Sequence, residues 1–451
     1  MLRYFTCDEF WNPKEGSIFV YFGNEADVTL YLNNTGLMWE LGMEHQALLL
    51  FMEHRYYGRS KPFRKLSRKD MAFLTTEQAM ADYANLLWGI KEEFGKRAPV
   101  IGFGGSYGGM LGYFFRAKYP FLVDGVVASS APIWAYYGED PPYELGSFAR
   151  IVTLDASPEN GSPKDCVPKA RLAWKELLRL SKTVKGRRKI ARDMGLCNPD
   201  SALTTEEDVM KLREWAAAAW ENMAMANYPY PSGYIIDGLG LLPAYPVREA
   251  CKKLTLSSND AEELLPSMAA AIGIFYNFTN QMKCYDFSLF QLSQETEDFW
   301  DYQFCTEHFM PVAGRDGIHD MFWHQPFNAT SEMQQCGIKW GLEPIARKPI
   351  IEWGGKDIHM YSNIVFSNGL MDPWSSGGVL TNISRDLQSI IIPEGAHHLD
   401  LMFSHEADPP GVLWARKVEN DAIRRWISQK RKAFWALGES LSYDNLAKVE
   451  Q

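Results

Sequence analysis

Four short apolar segments in the N-terminal third of the chain constrain its fold more than any other feature. Their sequences are GSIFVYFG, ALLLFMEH, APVIGFGG and VDGVVASSAP. Continuous apolar runs of this length are typical of strands that are buried on both faces of a parallel sheet. Amphipathic stretches separate the later runs, and one of them predicts a helix that Thr76 caps and Gly95 ends. This alternation predicts an α/β fold in which crossover helices cover a parallel sheet.

The sequence changes character near Gly146. Long helical patterns follow, without buried strands, to about Glu352, and we interpret their Trp and Met positions as core. Strand patterns return in SNIVFSNGLMDPW and LQSIIIPEGAHHLD, and the amphipathic segment after them predicts a helix that packs on the sheet. We therefore expect an α/β core formed by residues 1–145 and 353–451, interrupted by a helical insertion at residues 146–352.

The bulk composition argues against two classes of partner. The net charge of −10 and the isoelectric point near 5.5 do not suit nucleic acid, because affinity for the phosphate backbone needs clustered positive charge. No apolar run approaches the roughly 20 residues that span a bilayer. We expect neither a nucleic acid nor a membrane to be a partner of the chain.

Cysteines and N-x-S/T sequons favour the secretory pathway. The seven cysteines lie far apart without a CxxC pair, which suits disulfide bonds better than zinc. The start of the chain lacks the basic and apolar regions of a signal peptide, so we expect the native N-terminus to lie outside this sequence. The alternative is that the sequons arose by chance and are never modified. The five sequons begin at Asn33, Asn160, Asn277, Asn328 and Asn382.

The segment GFGGSYGGM carries the first chemical signal, a G-x-S-x-G pattern centred on Ser106. It follows a predicted buried strand and opens a predicted helix, which is the setting of a nucleophile elbow. Glycines permit the tight turn that exposes the serine hydroxyl, and the helix N-terminus offers free N–H groups to a developing negative charge. The alternative is a glycine-rich turn with a passive serine.

A serine hydroxyl becomes a useful nucleophile only beside a base, and at such elbows an acid and then a histidine follow along the chain. Asp372 lies just after one late strand, and His397 and His398 lie just after the next. We predict a triad of Ser106, Asp372 and one histidine, with the other histidine as a supporting neighbour. A metal site formed by the two histidines and Asp400 is disfavoured, because no third histidine is near and no HExxH pattern occurs.

The intermediate of such a reaction also needs donors to its oxyanion. One predicted donor is the backbone N–H of Tyr107, and the second comes from the segment YFGNEAD, through Gly23 or Asn24. The next strand ends in EHRYYGRS, where we expect Glu53 and Arg55 to form an internal ion pair that shapes the site. An ordinary structural pair is the alternative.

Several of these segments together resemble the S28 serine peptidases, from about Arg3 to the final helix. The segments include NNTGLMWE, EHRYYGRS, FGGSYGGMLGYFFRAKYP, IVFSNGLMDPWSSGG and EGAHHLDL. The resemblance implies an α/β-hydrolase fold with an inserted helical cap domain, cleavage after proline, and no metal or organic cofactor. It also implies short proline-containing peptides as substrates, a homodimer, and a lysosomal or secreted location.

Carried onto this chain, the resemblance implies that Ser106 is the nucleophile, Asp372 the acid and His397 the base. It further implies an apolar pocket for the proline ring formed by Met110, Met310 and Trp374. Two rivals from other classes remain, namely an inactive binding protein on the same fold and a lipase or esterase.

The family contains enzymes that release a C-terminal residue after proline and enzymes that release N-terminal Xaa-Pro dipeptides. The segments LMWE, CTEHFMP and WGGKDI look more like the carboxypeptidase, which we therefore expect. The alternative activity needs a carboxylate that holds the substrate's ammonium group, and Glu25 could supply it.

The chain departs from the family pattern in two places within the resemblance. Met402 stands where the carboxypeptidase has an arginine, so any polar support for His398 from that position is lost. One family disulfide lacks both of its cysteines, and Cys7 is expected to be free. The remaining pairs implied by the resemblance are Cys166–Cys251, Cys197–Cys284 and Cys305–Cys336.

Overall fold

A mostly parallel sheet of seven strands runs through the molecule in the order β1-β3-β2-β4-β5-β6-β7. The computed structural model describes residues 2–64, 67–256, 261–287 and 299–447. Strand β1 is antiparallel to β3, and the other neighbours are parallel. The strands are β1 (Tyr4–Cys7), β2 (Ile18–Phe22), β3 (Leu48–Met52), β4 (Val100–Gly105), β5 (Gly125–Ser129), β6 (Ile364–Gly369) and β7 (Leu387–Ile392).

The central strands are apolar because both of their faces are covered. Every residue of β2, β3, β4, β5 and β6 is buried, as the uninterrupted apolar runs predict. The helices of the core are α1 (Val28–Asn34), α2 (Gly36–Glu44), α3 (Thr76–Phe94), α4 (Tyr107–Lys118) and, at the C-terminus, α14 (Pro410–Ala447). Within the described residues, no helix is long and apolar enough to cross a bilayer.

The N-cap residue of helix α3 lies one position earlier in the chain than the sequence predicts. The hydroxyl of Thr75 accepts a hydrogen bond from the Gln78 N–H at 3.2 Å, so Thr75 is the N-cap and the prediction of Thr76 is wrong. Two adjacent threonines offer the same capping chemistry, and the hydroxyl of Thr76 is engaged elsewhere. The helix ends at Gly95 as predicted.

Between β5 and β6 the chain forms a helical layer with its own apolar core. This cluster is separate from the two that cover the faces of the sheet, and Trp174 and Trp220 are among its fully buried members. The boundaries at residues 145/146 and 352/353 stay a prediction of the sequence. The helices of this stretch are α5 (Ser147–Asp155), α6 (Cys166–Ser181), α7 (Val184–Asp193), α8 (Glu206–Met225), α9 (Pro246–Thr255), α10 (Ala261–Tyr276), α11 (Phe299–Thr306), α12 (Ala329–Trp340) and α13 (Lys348–Trp353).

Three disulfide bonds tie this helical layer together. They are the three pairs that the resemblance implied, and Cys7 is free, so the predicted pairing is confirmed. Cys166–Cys251 joins α6 to α9, and Cys305–Cys336 joins α11 to α12. Because such bonds restrict the unfolded chain, they stabilise the layer that covers the active site described below.

The predicted ion pair between Glu53 and Arg55 is wrong. Glu53 is buried and accepts hydrogen bonds from the Arg3 guanidinium at 3.0 Å and from the Ser60 hydroxyl at 2.6 Å. Arg55 instead binds both carboxylate oxygens of Asp82, each at 2.8 Å. The chain leaves the sheet after Met52, so Glu53 faces β1 while Arg55 faces α3.

The side-chain amides of the sequon asparagines differ in how accessible they are to a modifying enzyme. Asn160 donates to Asp155 at 2.9 Å, and Asn277 donates to the carbonyl of Met282 at 3.2 Å. The other three sequon asparagines are exposed. They are Asn33, Asn328 and Asn382. The exposed sites are therefore the ones that a glycosyltransferase can reach most readily.

Two carboxyl groups are buried together between the sheet and α14. Asp400 accepts hydrogen bonds from the hydroxyl of Ser129, the last residue of β5, at 2.7 Å and from the hydroxyl of Ser367, within β6, at 2.6 Å. Glu419 of α14 is fully buried beside it. Burial raises the pKa of Glu419 well above its usual 4.5, Asp400 raises it further, and Arg416 opposes the shift. Glu419 therefore keeps its proton in the folded chain.

This pair makes stability depend on pH. The folded chain holds a proton on Glu419 that the unfolded chain releases above its ordinary pKa of 4.5. The contribution of this proton to stability is therefore complete below that pH and is lost as the pH rises towards the higher pKa of the folded chain. We expect the denaturation midpoint of the Glu419→Gln variant to change less between about pH 5 and pH 8 than that of the wild type. Denaturant titrations without reductant at both pH values measure this, and equal changes would contradict a protonated Glu419.

Candidate active site

Ser106 lies on a strained turn between β4 and α4. Its φ of +59° and ψ of −130° are rarely adopted by a residue with a side chain. Its N–H donates to the carbonyl of Ser129 at 2.9 Å, and its carbonyl accepts from the N–H of Met110 at 3.0 Å. The neighbouring strand and the first turn of α4 thus hold the backbone in a conformation that the serine alone would not favour.

Two glycines leave the room that this turn needs. A Cβ atom on Gly104 would lie 2.1 Å from the carbonyl oxygen of Gly108, in the turn itself. A Cβ atom on Gly105 would lie 2.7 Å from the imidazole ring of His398. The two glycines before Ser106 are therefore required by close approach, Gly104 within the turn and Gly105 against the second histidine.

The two other residues of the predicted triad form a buried hydrogen-bonded pair. His397 Nδ1 lies 2.9 Å from Asp372 Oδ2, and both side chains are buried. Asp372 follows β6, and its Oδ1 accepts from the N–H of Trp374 at 3.1 Å, so its carboxylate is fixed by the turn that it begins. Ser106 and His397 line the same cavity. The structure thus brings together the three residues that the sequence singled out.

The backbone of His397 is held by the end of the insertion's longest helix, α8. Its N–H donates to the carbonyl of Met225 at 3.2 Å. Its carbonyl accepts from the hydroxyl of Tyr228 at 3.0 Å. The helical layer therefore fixes the main chain of the candidate base, and it does more than cover the cleft.

His398 has a different environment from its neighbour. Its backbone N–H donates to the Ser130 hydroxyl at 2.8 Å, and the ring of Tyr234 meets its imidazole edge-on at a centroid distance of 4.8 Å. Burial lowers the pKa of His398 well below 6.5, and the charge of His397 lowers it further, so the ring stays neutral. No described residue hydrogen-bonds its Nε2, which agrees with the loss of polar support expected from Met402.

The predicted oxyanion loop lies against the start of α4. Gly23 directly follows β2, and its carbonyl accepts from the hydroxyl of Tyr83 at 2.6 Å. Asn24 is buried, and its side-chain oxygen is so close to the elbow that a Cβ atom on Gly108 would lie 2.9 Å from it. Tyr107 is the first residue of α4. The two segments chosen for oxyanion donors are thus neighbours, and their role stays a proposal.

A buried polar network links Tyr107 to the insertion, and sequence reasoning missed it. The Tyr107 hydroxyl accepts from the Gln303 amide at 2.9 Å and lies 3.2 Å from both His54 Nε2 and the Thr76 hydroxyl. Glu307 in turn accepts from the N–H of Thr76 at 2.8 Å. Burial raises the pKa of the Glu307 carboxyl, and Lys348 opposes that shift. The insertion therefore supports the residue after the nucleophile as well as the base.

The cavity beside Ser106 encloses about 260 Å³. Met110, Met310 and Trp374 line it, as predicted for the proline pocket, and Glu25 lines it too. Gly23 and Asn24 are not among the residues that line this cavity. Further lining residues not predicted from the sequence include Met225, Tyr234, Asp237 and Trp300.

Two of the missed residues belong to segments that carried a weak signal. Met225 ends the helix whose Met positions were interpreted as core, but its sulfur lies 3.1 Å from the indole nitrogen of Trp374 and it lines the cavity. Trp300 precedes the CTEHFMP segment, and its ring stacks on His308 at a centroid distance of 5.6 Å. Among the described residues, no group of three or more His, Cys, Asp or Glu side chains could hold a metal ion.

Comparison with known proteins identifies the family. Residues 1–419 match the family model described as serine carboxypeptidase S28. The chain belongs to this family. The sheet order and the nucleophile elbow after β4 are those of the α/β-hydrolase fold, which the chain therefore has, as the resemblance implied.

Relatives in the S28 family cover most of the chain. Lysosomal Pro-X carboxypeptidase of Bos taurus is 41% identical over 431 residues, which are 94% of this chain and 84% of that protein. Prolyl carboxy peptidase like protein 5 of Caenorhabditis elegans is 35% identical over 462 residues, covering 96% and 87%. A proline iminopeptidase-related protein from Thermus thermophilus matches in structure with a TM-score of 0.36, at 12% identity and 95% coverage of each chain.

The two adjacent histidines should respond differently to substitution. His397→Ala removes the candidate base, so we expect kcat to fall by about a thousandfold or more with the fold intact. His398→Ala removes a neutral, packed ring, so we expect a smaller loss. Steady-state kinetics measures both effects, and far-UV circular dichroism checks the fold. Equal and complete loss of activity in both variants would show that the roles are wrongly divided.

Proposed function

We propose that the chain is a serine exopeptidase that cleaves short peptides after proline and releases the C-terminal residue through an acyl-enzyme. The observation that carries this proposal is the buried Asp372–His397 hydrogen bond beside Ser106, in a cavity whose neighbouring wall is apolar. Membership of the S28 family and the names of the mammalian relatives support the same activity.

In the proposed mechanism, His397 takes the proton of the Ser106 hydroxyl as the oxygen attacks the prolyl carbonyl. Asp372 accepts the Nδ1–H of the imidazole, which fixes the tautomer and stabilises the charged ring. The backbone N–H of Tyr107 and an N–H of the Gly23–Asn24 segment donate to the oxyanion. His397 then gives its proton to the leaving amine, and water attacks the acyl-enzyme with the same histidine as base.

The proline specificity comes from the apolar side of the cavity. Met110, Met310 and Trp374 present thioether and indole surface, and Trp300 adds a further aromatic face. A pyrrolidine ring buries its methylenes there without leaving a donor unpaired, because proline has no backbone N–H. A residue with an ordinary amide would need an acceptor at the same place.

The setting of the enzyme is also part of the proposal. Three disulfide bonds suit an oxidising compartment, and the mammalian relatives are named lysosomal, so we propose that the chain works in the lysosome or outside the cell. A homodimer follows from the family resemblance. We also propose that residues 146–352 act as a cap that admits peptide ends and excludes folded proteins.

One observation favours a second candidate activity. Glu25 and Asp237 both line the cavity, and none of the described lining residues is a lysine or arginine. A site of that charge suits the ammonium group of a substrate better than its carboxylate. A dipeptidyl aminopeptidase that releases N-terminal Xaa-Pro dipeptides is therefore the alternative.

An N-blocked peptide that ends in Pro-Phe tests the proposed activity. We expect release of phenylalanine by the wild type and none by Ser106→Ala, because only the serine can form the acyl-enzyme. A fluorophosphonate probe should label the wild type and fail to label the variant. Labelling that survives Ser106→Ala would contradict the assignment of the nucleophile, and turnover of Xaa-Pro amides alone would establish the second candidate.

The proline pocket can be tested by truncating one of its walls. Met310→Ala should lower kcat/KM for proline at the cleaved position by about tenfold or more, since it removes buried contact with the ring. The decrease in kcat/KM for a substrate with alanine at that position should be smaller, because the alanine methyl group makes less contact with the Met310 side chain. Met360→Ala is the matched control, since Met360 is 66% exposed and away from the cavity lining. Equal losses for the two substrates would contradict a proline pocket at Met310.

A further inference from the structure

Met225 is the last residue of α8, and it reaches the candidate active site with both its backbone and its side chain. Its carbonyl accepts a hydrogen bond from the N–H of His397 at 3.2 Å. Its sulfur accepts one from the indole N–H of Trp374 at 3.1 Å. One residue of the insertion therefore binds both the main chain of the candidate base and a wall of the proposed proline pocket.

These two contacts complete a closed ring of four hydrogen bonds. The backbone N–H of Trp374 donates to Asp372 Oδ1 at 3.1 Å, and Asp372 Oδ2 lies 2.9 Å from His397 Nδ1. Asp372, Trp374 and His397 all belong to the core, so the core alone leaves the ring open between the base and the indole. Met225 bridges that gap, and it thereby fixes the position of the indole relative to the imidazole.

The indole of Trp374 lies where the two parts of the chain meet. It packs against the apolar core of the helical layer and also against the core on one face of the sheet. The ring of Phe148, from α5 of the insertion, meets it edge-on at a centroid distance of 5.2 Å. Packing confines the indole, whereas the hydrogen bond to the sulfur is directional and selects the orientation of its polar edge.

Met225 differs from the methionine two positions earlier on the same helix. Met223 is fully buried in the core of the helical layer, where another apolar side chain of similar volume would fill the space. Met225 is only partly buried, and it lines the cavity. A leucine there would have a similar volume but no acceptor, whereas a thioether can accept a hydrogen bond. The indole N–H therefore gives a reason for methionine at this position.

We propose that Met225 is a positioning residue that keeps the proline pocket in register with the base. The inference rests on the proposed cleavage after proline. The proline ring carries the carbonyl that Ser106 attacks, so a wall that shifts against the ring also shifts this carbonyl relative to Ser106 and His397. Small misplacements of reacting groups slow the chemical step, so the sulfur contact should act on kcat more than on KM.

The variant Met225→Leu tests this role, because it keeps the backbone carbonyl and a similar volume but removes the acceptor. The quantity compared is kcat/KM for substrates with proline and with alanine at the cleaved position. We expect the proline-to-alanine ratio to fall about fivefold, mainly through kcat for the prolyl substrate, because one hydrogen bond is lost. Met225→Gln should restore part of the ratio, since its amide oxygen has a similar reach and accepts from the indole N–H.

A second methionine–tryptophan pair in the insertion supplies the matched control. The indole N–H of Trp220 donates to the sulfur of Met268 at 3.4 Å, and both residues are fully buried away from the cavity lining. Met268→Leu removes the same kind of hydrogen bond, so it should keep the wild-type ratio. The rate at which a small fluorophosphonate labels Ser106 reports the triad without the pocket, and Met225→Leu should slow it much less than prolyl turnover.

Two substrate pairs separate this inference from the proposed function. N-blocked peptides ending in Pro-Phe or Ala-Phe and aminomethylcoumarin amides of Ala-Pro or Ala-Ala give the ratio whichever terminus is recognised. A high wild-type ratio that Met225→Leu keeps, or one that Met225→Gln leaves as low as Met225→Leu does, would overturn the role of the sulfur alone. Equal falls in labelling and prolyl turnover, or the same fall in Met268→Leu, would overturn it too, because the damage would then be general. A wild-type ratio near one would overturn the proposed proline specificity and the inference with it.

Discussion

The position of the His397 backbone is the constraint on which the rest of the candidate site depends. The residue follows β7 and belongs to the core, yet its N–H and carbonyl are bound by Met225 and Tyr228 of the insertion. Its side chain meets Asp372 from the neighbouring strand at 2.9 Å. Sheet and insertion therefore have to dock correctly before the imidazole can face Ser106. The disulfide Cys166–Cys251, which joins two helices that pack around α8, supports that docking at a distance.

The elbow depends on the insertion in the same way. Tyr107 begins α4 in the core, and its hydroxyl is bound by Gln303 of α11, which lies 196 residues further along the chain. Trp300 of the same helix packs edge-on against the Tyr107 ring and also lines the cavity. The wall proposed to contact the proline ring and the support of the proposed oxyanion donor are thus one structural unit. A change in the helical layer would alter specificity and rate together, which distinguishes this arrangement from a cap that only restricts access.

The sequence predicted those features that are local or that follow from a fixed order along the chain. Wholly buried strands leave continuous apolar runs, and an elbow with Asp372 and the adjacent histidines 397 and 398 after later strands follows from the geometry of a parallel sheet. The choice of His397 as the base came from the family resemblance. The proline pocket and the disulfide pairs came from the family resemblance, since neither has a local signature. Side-chain partners across the fold were not predictable. Glu53 and Arg55 are two residues apart, but Glu53 binds Arg3 beside β1 and Arg55 binds Asp82 on α3. Only the tertiary structure shows which partner each side chain reaches.

The charge distribution of the cavity has the same origin as its geometry. Core and insertion each supply one methionine of the proposed proline pocket, Met110 and Met310, and each supplies one carboxyl group to the cavity, Glu25 and Asp237. Neither part alone supplies both methionines or both carboxyl groups of this cavity. A substrate with a free amino terminus and a proline next to it would be complementary to both features, and its binding energy would be gained only when the two parts are docked. Selectivity for such peptides and the correct placement of His397 therefore depend on the same interface between core and insertion.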